Sequence, residues 1–431
     1  MGQQVGANLV NPESRVWVDL IVLCGVALIS IGLAQFLARF HVPEVSVYLL
    51  VGLVLGPHML RLVDTGVVER SSVVPELLLG FVAFMLGERL TARAIARQGR
   101  LFPFISIFAL VIPFVLVSGA VYYGLGAPIR EAVVLGLFAM AGAPATVLAV
   151  GNELSASGTR HDLLITLAAF DNMFVVVVYG VAAPFLAARV AQSWTPSAAI
   201  AEVAITLLGG LAIGFVAGRI LALMTMRVAA GNVGRSIASS LLVVVAVAAT
   251  AHFVGASGLI ACAVAGITIA TVQEKRESHL STFRALSGLE DIVYVFFFVF
   301  AGTELVPGSL VYAGTLALVY ITLRGAGKIA AGTLGGLLRQ DPPREAWLFG
   351  VALLPQAGVV VGLALDASAR FPFVGAEVLS VVLAALIVFE LVGPITLRNA
   401  LAIFQRTDID VPAQPERTVM GGPQAGNSDV E

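Results

Sequence analysis

Few ionisable residues of this chain lie far from both ends of its apolar runs, and chemistry has to be sought at those few. The deepest carboxylate is Asp171, in LAAFDNMFVVVVYG. Charged and unpaired in a bilayer it would cost about 2.5–3.5 kcal/mol on insertion scales, so such a group faces a bundle interior and does work there. It can exchange a proton for a cation. Arg324 and Lys328, in YITLRGAGKIAAG, lie four apart and share one helix face. Arg stays protonated under any realistic condition, whereas a desolvated Lys can titrate. Lys328 is therefore the better partner for Asp171, with Arg324 a fixed charge or a structural pair. Glu390 in VFELVGP, and Glu88 and Glu304 near the ends of apolar runs, are second-rank candidates. Glu290 and Asp291 are placed to form an inner mouth, and His252 reads as a packed helix-end histidine.

Two interrupted runs, AMAGAPATVLAVGNE and GVALLPQAGVVVGLA, offer the other half of a site. Pro144, beside Gly142 and Thr146, removes an N–H and clashes with the preceding turn, and Pro355 with Gln356 and Gly358 does the same in the second run. Irregular backbone at membrane depth is tolerated only where it is buried in protein or lines a cavity. Two facing breaks leave carbonyls and helix ends free near the bilayer midplane, a place ready for an ion.

The elements that must hold these residues follow from composition. Of 431 residues, 58% are apolar and 12% charged, and mean hydropathy is +0.96. A soluble domain carries about 25% charge, so the expected fold is an all-α polytopic membrane protein. With about 20 apolar residues per span, the runs bounded by charge, Pro or Gly predict 13 transmembrane helices within 17–400. An external segment, 1–16, precedes them without the pattern of a secretory signal, and 405–431, rich in Pro and Gly, is expected to be a short disordered cytoplasmic tail. With the N-terminus outside, sixteen Lys and Arg fall inside and six outside, the bias expected of a cell (inner) membrane protein with a cytoplasmic C-terminus. The net charge of −2 excludes the basic balance of nucleic-acid binding. Cys24 and Cys262 sit in apolar runs and supply neither disulfide nor metal cluster. No cofactor and no enzymatic activity are indicated.

Self-similarity runs through the chain at one offset. Gly52 and Gly56 match Gly266 and Ala270, Gly87 in FMLGERL matches Gly302 in VFAGTEL, and Pro144 matches Pro355, at offsets of 211 to 215 residues. Seven spans fit in that interval, so the second copy is inverted: repeat one at 17–188, a linker helix at 198–226 and repeat two at 236–399.

VPEVSVYLLVGLVLGP at 42–57, ELLLGFVAFMLGERL at 76–90, FFFVFAGTEL at 296–305 and the two broken runs together resemble the monovalent cation:proton antiporter superfamily, the sodium/proton exchanger and Kef-type fold, from about residue 20 to 400. In that superfamily two polar residues in the sixth of thirteen spans bind the ion, usually with the second an essential carboxylate. The resemblance therefore implies a site at Asp171 and Asn172, here with the acid first, supported by Thr146, Pro144, Pro355, Gln356 and Glu390. It also implies a basic partner at Lys328 or Arg324. The reading that follows is a secondary transporter exchanging Na⁺ or K⁺ for H⁺, working as a homodimer in the lipid bilayer. Spans 4–6 and 11–13 would move elevator-like against spans 1–3 and 8–10. The rival readings are a channel-like or sensory protein of the same fold without coupled exchange, and a sodium-coupled organic anion symporter. The symporter would need more polar side chains at the crossing than Thr146 and Gln356.

Overall fold

The computed structural model describes residues 12–39, 44–63, 73–188, 196–227, 233–275, 282–303, 314–356, 358–371 and 375–409. These residues form helices and no strands. An apolar chain in lipid has no water for its peptide groups and satisfies them within the helix. The helices are α1 (Pro12–Ala38), α2 (Glu44–Leu55), α3 (Val73–Leu86), α4 (Ala92–Arg97), α5 (Phe102–Gly119), α6 (Ile129–Ala139), α7 (Pro144–Glu153) and α8 (Thr159–Ala188). There follow α9 (Pro196–Ala204), α10 (Gly210–Arg227), α11 (Val233–Val254), α12 (Gly258–Lys275), α13 (Thr282–Thr303), α14 (Gly314–Leu338), α15 (Pro343–Val351), α16 (Val359–Arg370) and α17 (Gly375–Ile409).

Among the described residues, seven helical stretches are long and apolar enough to cross a membrane by length and composition, and four more apolar helices are shorter. Both runs in which proline predicts a break are broken, between α6 and α7 and between α15 and α16. The last helix runs past residue 399 into the segment expected to be tail, because Gln405 Nε2 donates to Leu154 O and Ser155 O at 3.2 Å each. Residues 410–431, and 1–11 at the other end, lie outside the described residues.

Two layers of helices result. One, α5–α8 with α14–α17, is filled by Phe102, Ile105, Leu164, Leu167, Phe349 and Leu401. The other, α1–α3 with α9–α13, is filled around Phe81, Phe84, Val247, Cys262, Ile269 and Phe283. A larger cluster joins them, running from Val47 and Leu49 through Leu135 and Phe138 to Phe297 and Val360.

The internal repeat is visible as repeated contacts. A Cβ on Gly52 of α2 would stand 3.0 Å from Gly302 Cα of α13, and one on Gly87, just after α3, would stand 2.7 Å from Gly266 Cα of α12. Gly52 and Gly266 are one repeat apart, as are Gly87 and Gly302, so the two crossings are one contact made twice. The same holds in the other layer. Gly136 of α6 lies against Phe114 O and Ser118 Oγ of α5, and Gly350 of α15 lies against Ile329 O and Thr333 Oγ1 of α14. Every partner shifts by 214 or 215 residues. Close backbone approach is how membrane helices associate where burial of apolar surface supplies no drive. Gly210, Gly214 and Gly218 dock α10 on α12 in the same way, which places the linker in the second layer.

Candidate functional site

Asp171 and Asn172 sit mid-way along α8, each 1% exposed. Lys328 of α14 is fully buried, and its Nζ donates to Asp171 Oδ2 at 2.8 Å, to Ala109 O at 3.2 Å and to Met140 O. An ammonium has three donors, and all three are used. Arg324, one turn earlier on α14 and equally buried, donates from Nη1 to Leu354 O at 2.9 Å. Its Nη2 donates to Ala141 O at 2.8 Å and to Pro355 O at 3.3 Å. Its guanidinium carbon stands 4.3 Å from the Phe389 ring centroid. The sequence leaves Lys328 and Arg324 as alternatives, and the geometry divides them: Lys328 meets the carboxylate and Arg324 meets backbone.

The reason lies in the breaks. α6 stops at Ala139 and α7 starts with Pro144, while α15 stops at Val351 and α16 begins at Val359. A helix that stops leaves its last carbonyls without intrahelical donors and carries partial negative charge there. Met140 O and Ala141 O from the first break, with Leu354 O and Pro355 O from the second, are such groups, and the two cations satisfy them. Gly142 allows the first break to lie on α8, since a Cβ there would be 2.9 Å from Ala168 Cα. Gly393 does the same for Pro355 against α17, at 2.9 Å.

Several buried polar atoms at this crossing have no hydrogen-bond partner among the described residues: Asp171 Oδ1, both amide atoms of Asn172, and Gln356 Oε1. Gln356 Nε2 donates to the hydroxyl of the buried Tyr320 at 3.2 Å. Buried polar groups are overwhelmingly satisfied in folded proteins, and unpaired oxygens around a carboxylate suit a hard monovalent cation. Among the described residues no group of three or more His, Cys, Asp or Glu suits a bound metal cofactor. Thr146 is half-buried on the first turn of α7 and makes no hydrogen bond to the Asp171 cluster.

A cavity of about 540 Å³ lies at the start of α8. Its wall includes Glu88, Arg97, Gln98, Asp162, Thr166 and Gln273, and Ile165 also borders it. Asn172 is seven residues beyond Ile165 and so on the same face of α8, two turns further in. Gln98 Nε2 donates to Thr166 Oγ1 at 3.1 Å on the cavity wall. At the same end Arg160 pairs with Asp341 at 3.1 Å and Glu345 at 2.5 Å, and Arg398 with Glu153 at 2.9 Å. At the opposite end of α8, Tyr179 OH donates to Asp366 Oδ2 at 2.6 Å.

Glu390 is buried in α17, and Glu88 borders the cavity. Glu304 and the side chains of Glu290 and Asp291 lie outside the described residues. His252, expected to be packed, is instead exposed at the end of α11. Sequence reasoning passed over Tyr320, Gln98, Thr166 and the Tyr179–Asp366 pair. Tyr179 lies eight residues after Asp171, on the same face of one helix, which is the one pattern that could have drawn attention to it.

A model of the transmembrane sodium/hydrogen exchanger family matches residues 25–402. Among solved structures, the sodium proton antiporter MjNhaP1 from Methanocaldococcus jannaschii at pH 8 is similar at TM-score 0.64 with 16% identity, covering 91% of this chain and 97% of that one. A 3D EM map of the same antiporter gives TM-score 0.63 with 15% identity, covering 89% and 94%. A search of curated proteins finds no match.

Proposed function

Because the chain belongs to the sodium/hydrogen exchanger family, a family of multi-pass cation:proton antiporters, we propose that it exchanges Na⁺ or K⁺ for H⁺ at Asp171. The observation that carries this assignment is a buried carboxylate with one oxygen on Lys328 at 2.8 Å and the other, like the amide of the next residue, Asn172, without a partner among the described residues. In one loaded state Asp171 holds a proton. In the other it holds the cation, with Asn172 Oδ1 as a second oxygen, while Lys328 stays on Met140 O and Ala109 O. Charge at the site is then equal in both loaded states, and exchange is one for one and electroneutral.

Alternating access is an elevator-like shift of the α5–α8 and α14–α17 layer against the other, with Arg324 joining both breaks so that they travel together. The bonds Lys328–Asp171, Arg160–Asp341, Arg398–Glu153 and Tyr179–Asp366 all join helices of one layer, which supports its moving as a unit. Thirteen spans in a homodimer, repeats at 17–188 and 236–399, and an inner-membrane placement with the N-terminus outside complete the reading. The cavity at the start of α8 then opens to the cytoplasm.

Dye-reported proton flux in proteoliposomes, driven by NaCl or KCl gradients in turn, tests it. Flux is expected with at least one salt and lost in Asp171→Asn. Full flux in a well-folded Asp171→Asn protein would overturn the assignment.

A further inference from the structure

Glu390, expected as a supporting residue, makes no hydrogen bond to the Asp171 cluster among the described residues, yet the repeat gives it a counterpart. Leu167, Phe170 and Asp171 of α8 recur as Leu386, Phe389 and Glu390 of α17, each 219 residues on. The correspondence is structural as well. Tyr179, eight residues after Asp171, bonds Asp366 on α16, the second half of the other repeat's broken helix. Arg398, eight residues after Glu390, pairs with Glu153 on α7, the second half of the first repeat's broken helix. Glu390 is therefore the carboxyl that stands in repeat two where Asp171 stands in repeat one.

The two carboxyls differ in what meets them. Asp171 has Lys328. Glu390 is 7% exposed, and no hydrogen bond or ion pair among the described residues reaches it. Of the charged groups on helices packed against α17, Lys328 is taken by Asp171, Arg324 by three carbonyls, Glu153 by Arg398, Glu345 by Arg160 and Asp366 by Tyr179. Glu44 of α2 accepts from Tyr48. Among the other described side chains, the Tyr320 hydroxyl of α14 accepts from Gln356, and Arg130, Glu131 and Arg344, with Glu377 and Arg406 of α17 itself, lie in first or last turns at helix ends. A buried carboxylate without a counter-charge is disfavoured, and the group stays neutral by keeping its proton.

We infer that Glu390 is a second proton-binding site of this antiporter, one that keeps its proton whether Asp171 holds a proton or a cation. The consequence for transport rests on the antiport reading. Exchange runs while Glu390 is neutral and stops when it ionises, because a bare charge would then ride in the apolar interior of the moving layer.

The test begins with infrared spectroscopy of the purified protein at neutral pH, which needs no transport. With Na⁺ or K⁺ saturating, so that Asp171 holds no proton, a carbonyl stretch of a protonated carboxylic acid is expected in the wild type, retained in Asp171→Asn and lost in Glu390→Gln. A band unchanged in Glu390→Gln would overturn the inference, whatever the flux measurements say about Asp171. In proteoliposomes a fall of flux on the alkaline side is expected in the wild type and is expected to be lost in Glu390→Gln, which copies the neutral acid. Abolished exchange in a Glu390→Gln protein that remains monodisperse would equally reject it, since a permanently neutral group would then be insufficient.

Discussion

Replacing Lys328 with Met removes the cation bonded to Asp171 and three hydrogen bonds at once. Asp171 is left in a site with 1% exposure, and Met140 O and Ala109 O lose their donor. Breaking a buried pair from one side costs about 3–5 kcal/mol, and the upper part of that range is expected because neither carbonyl has an intrahelical donor: Met140 O lies where α6 stops, and Ala109 O lies four residues before Pro113 of α5, which has no N–H. Asp171→Asn should cost less, about 1–2 kcal/mol, since the amide oxygen still accepts from Lys328 and the ammonium keeps both carbonyls. In the double variant neither charge remains. Its loss should fall short of the summed single losses by about 2 kcal/mol, the size of coupling expected for residues in direct contact. Unfolding of the wild type, both single variants and the double variant in detergent micelles completes the cycle. Single losses that add within about 0.5 kcal/mol would refute the claim that the two side chains act as a pair.

Further outcomes follow from the same geometry. Saturating Na⁺ or K⁺ should stabilise the wild type by about 2.7 kcal/mol at a hundredfold excess over Kd, and should leave Asp171→Asn unmoved in the same thermal assay. Arg324→Lys keeps the charge but cannot span Ala141 O and Leu354 O with one planar fork; a loss of about 2 kcal/mol in stability and a clear loss of flux are expected, and wild-type behaviour would deny the guanidinium its bridging role. Gly266→Ala puts a methyl on Phe84 O, which should cost about 1–3 kcal/mol and lower the yield of monodisperse protein; Gly302→Ala, at the equivalent crossing against Leu49 O, should match it. Imposing a membrane potential should not shift the equilibrium point of cation-driven proton flux, whereas a shift would make Lys328 a proton carrier.

Asp171 and the two prolines were legible in the sequence because lipid penalises them, so a carboxylate and two helix breaks deep in apolar runs need a reason to be there. The repeat was legible because helix crossings demand glycine at fixed places. Gly52, Gly87, Gly266 and Gly302 kept their spacing although the residues around them diverged. What Arg324 touches was hidden, since backbone carbonyls leave no signature in side-chain identity. Tyr179–Asp366 and Arg160–Asp341 were hidden for another reason: polar residues near helix ends look like ordinary boundaries until the far half of the chain comes to meet them. α17 runs on to Ile409, past residue 405 where the tail was expected to begin, and Gln405 there bonds the turn after α7, a contact between distant segments that the local sequence does not announce.

Several of the close contacts described above join one half of the chain to the other: Gly52 to Gly302, Gly87 to Gly266, Glu153 to Arg398, Asp171 to Lys328. That bears on how the protein is made. Asp171 and Lys328 are 157 residues apart, and at about 5–20 residues per second of synthesis the first leaves the ribosome roughly 8 to 30 s before the second. For that interval the first half stands in the membrane with its carboxyl unpaired and its glycine grooves open, unable to complete its own core. The nascent half-protein is thus a client for whatever shelters polar residues during insertion, and a chain severed between α8 and α9 should regain its structure only when both pieces are synthesised in the same membrane.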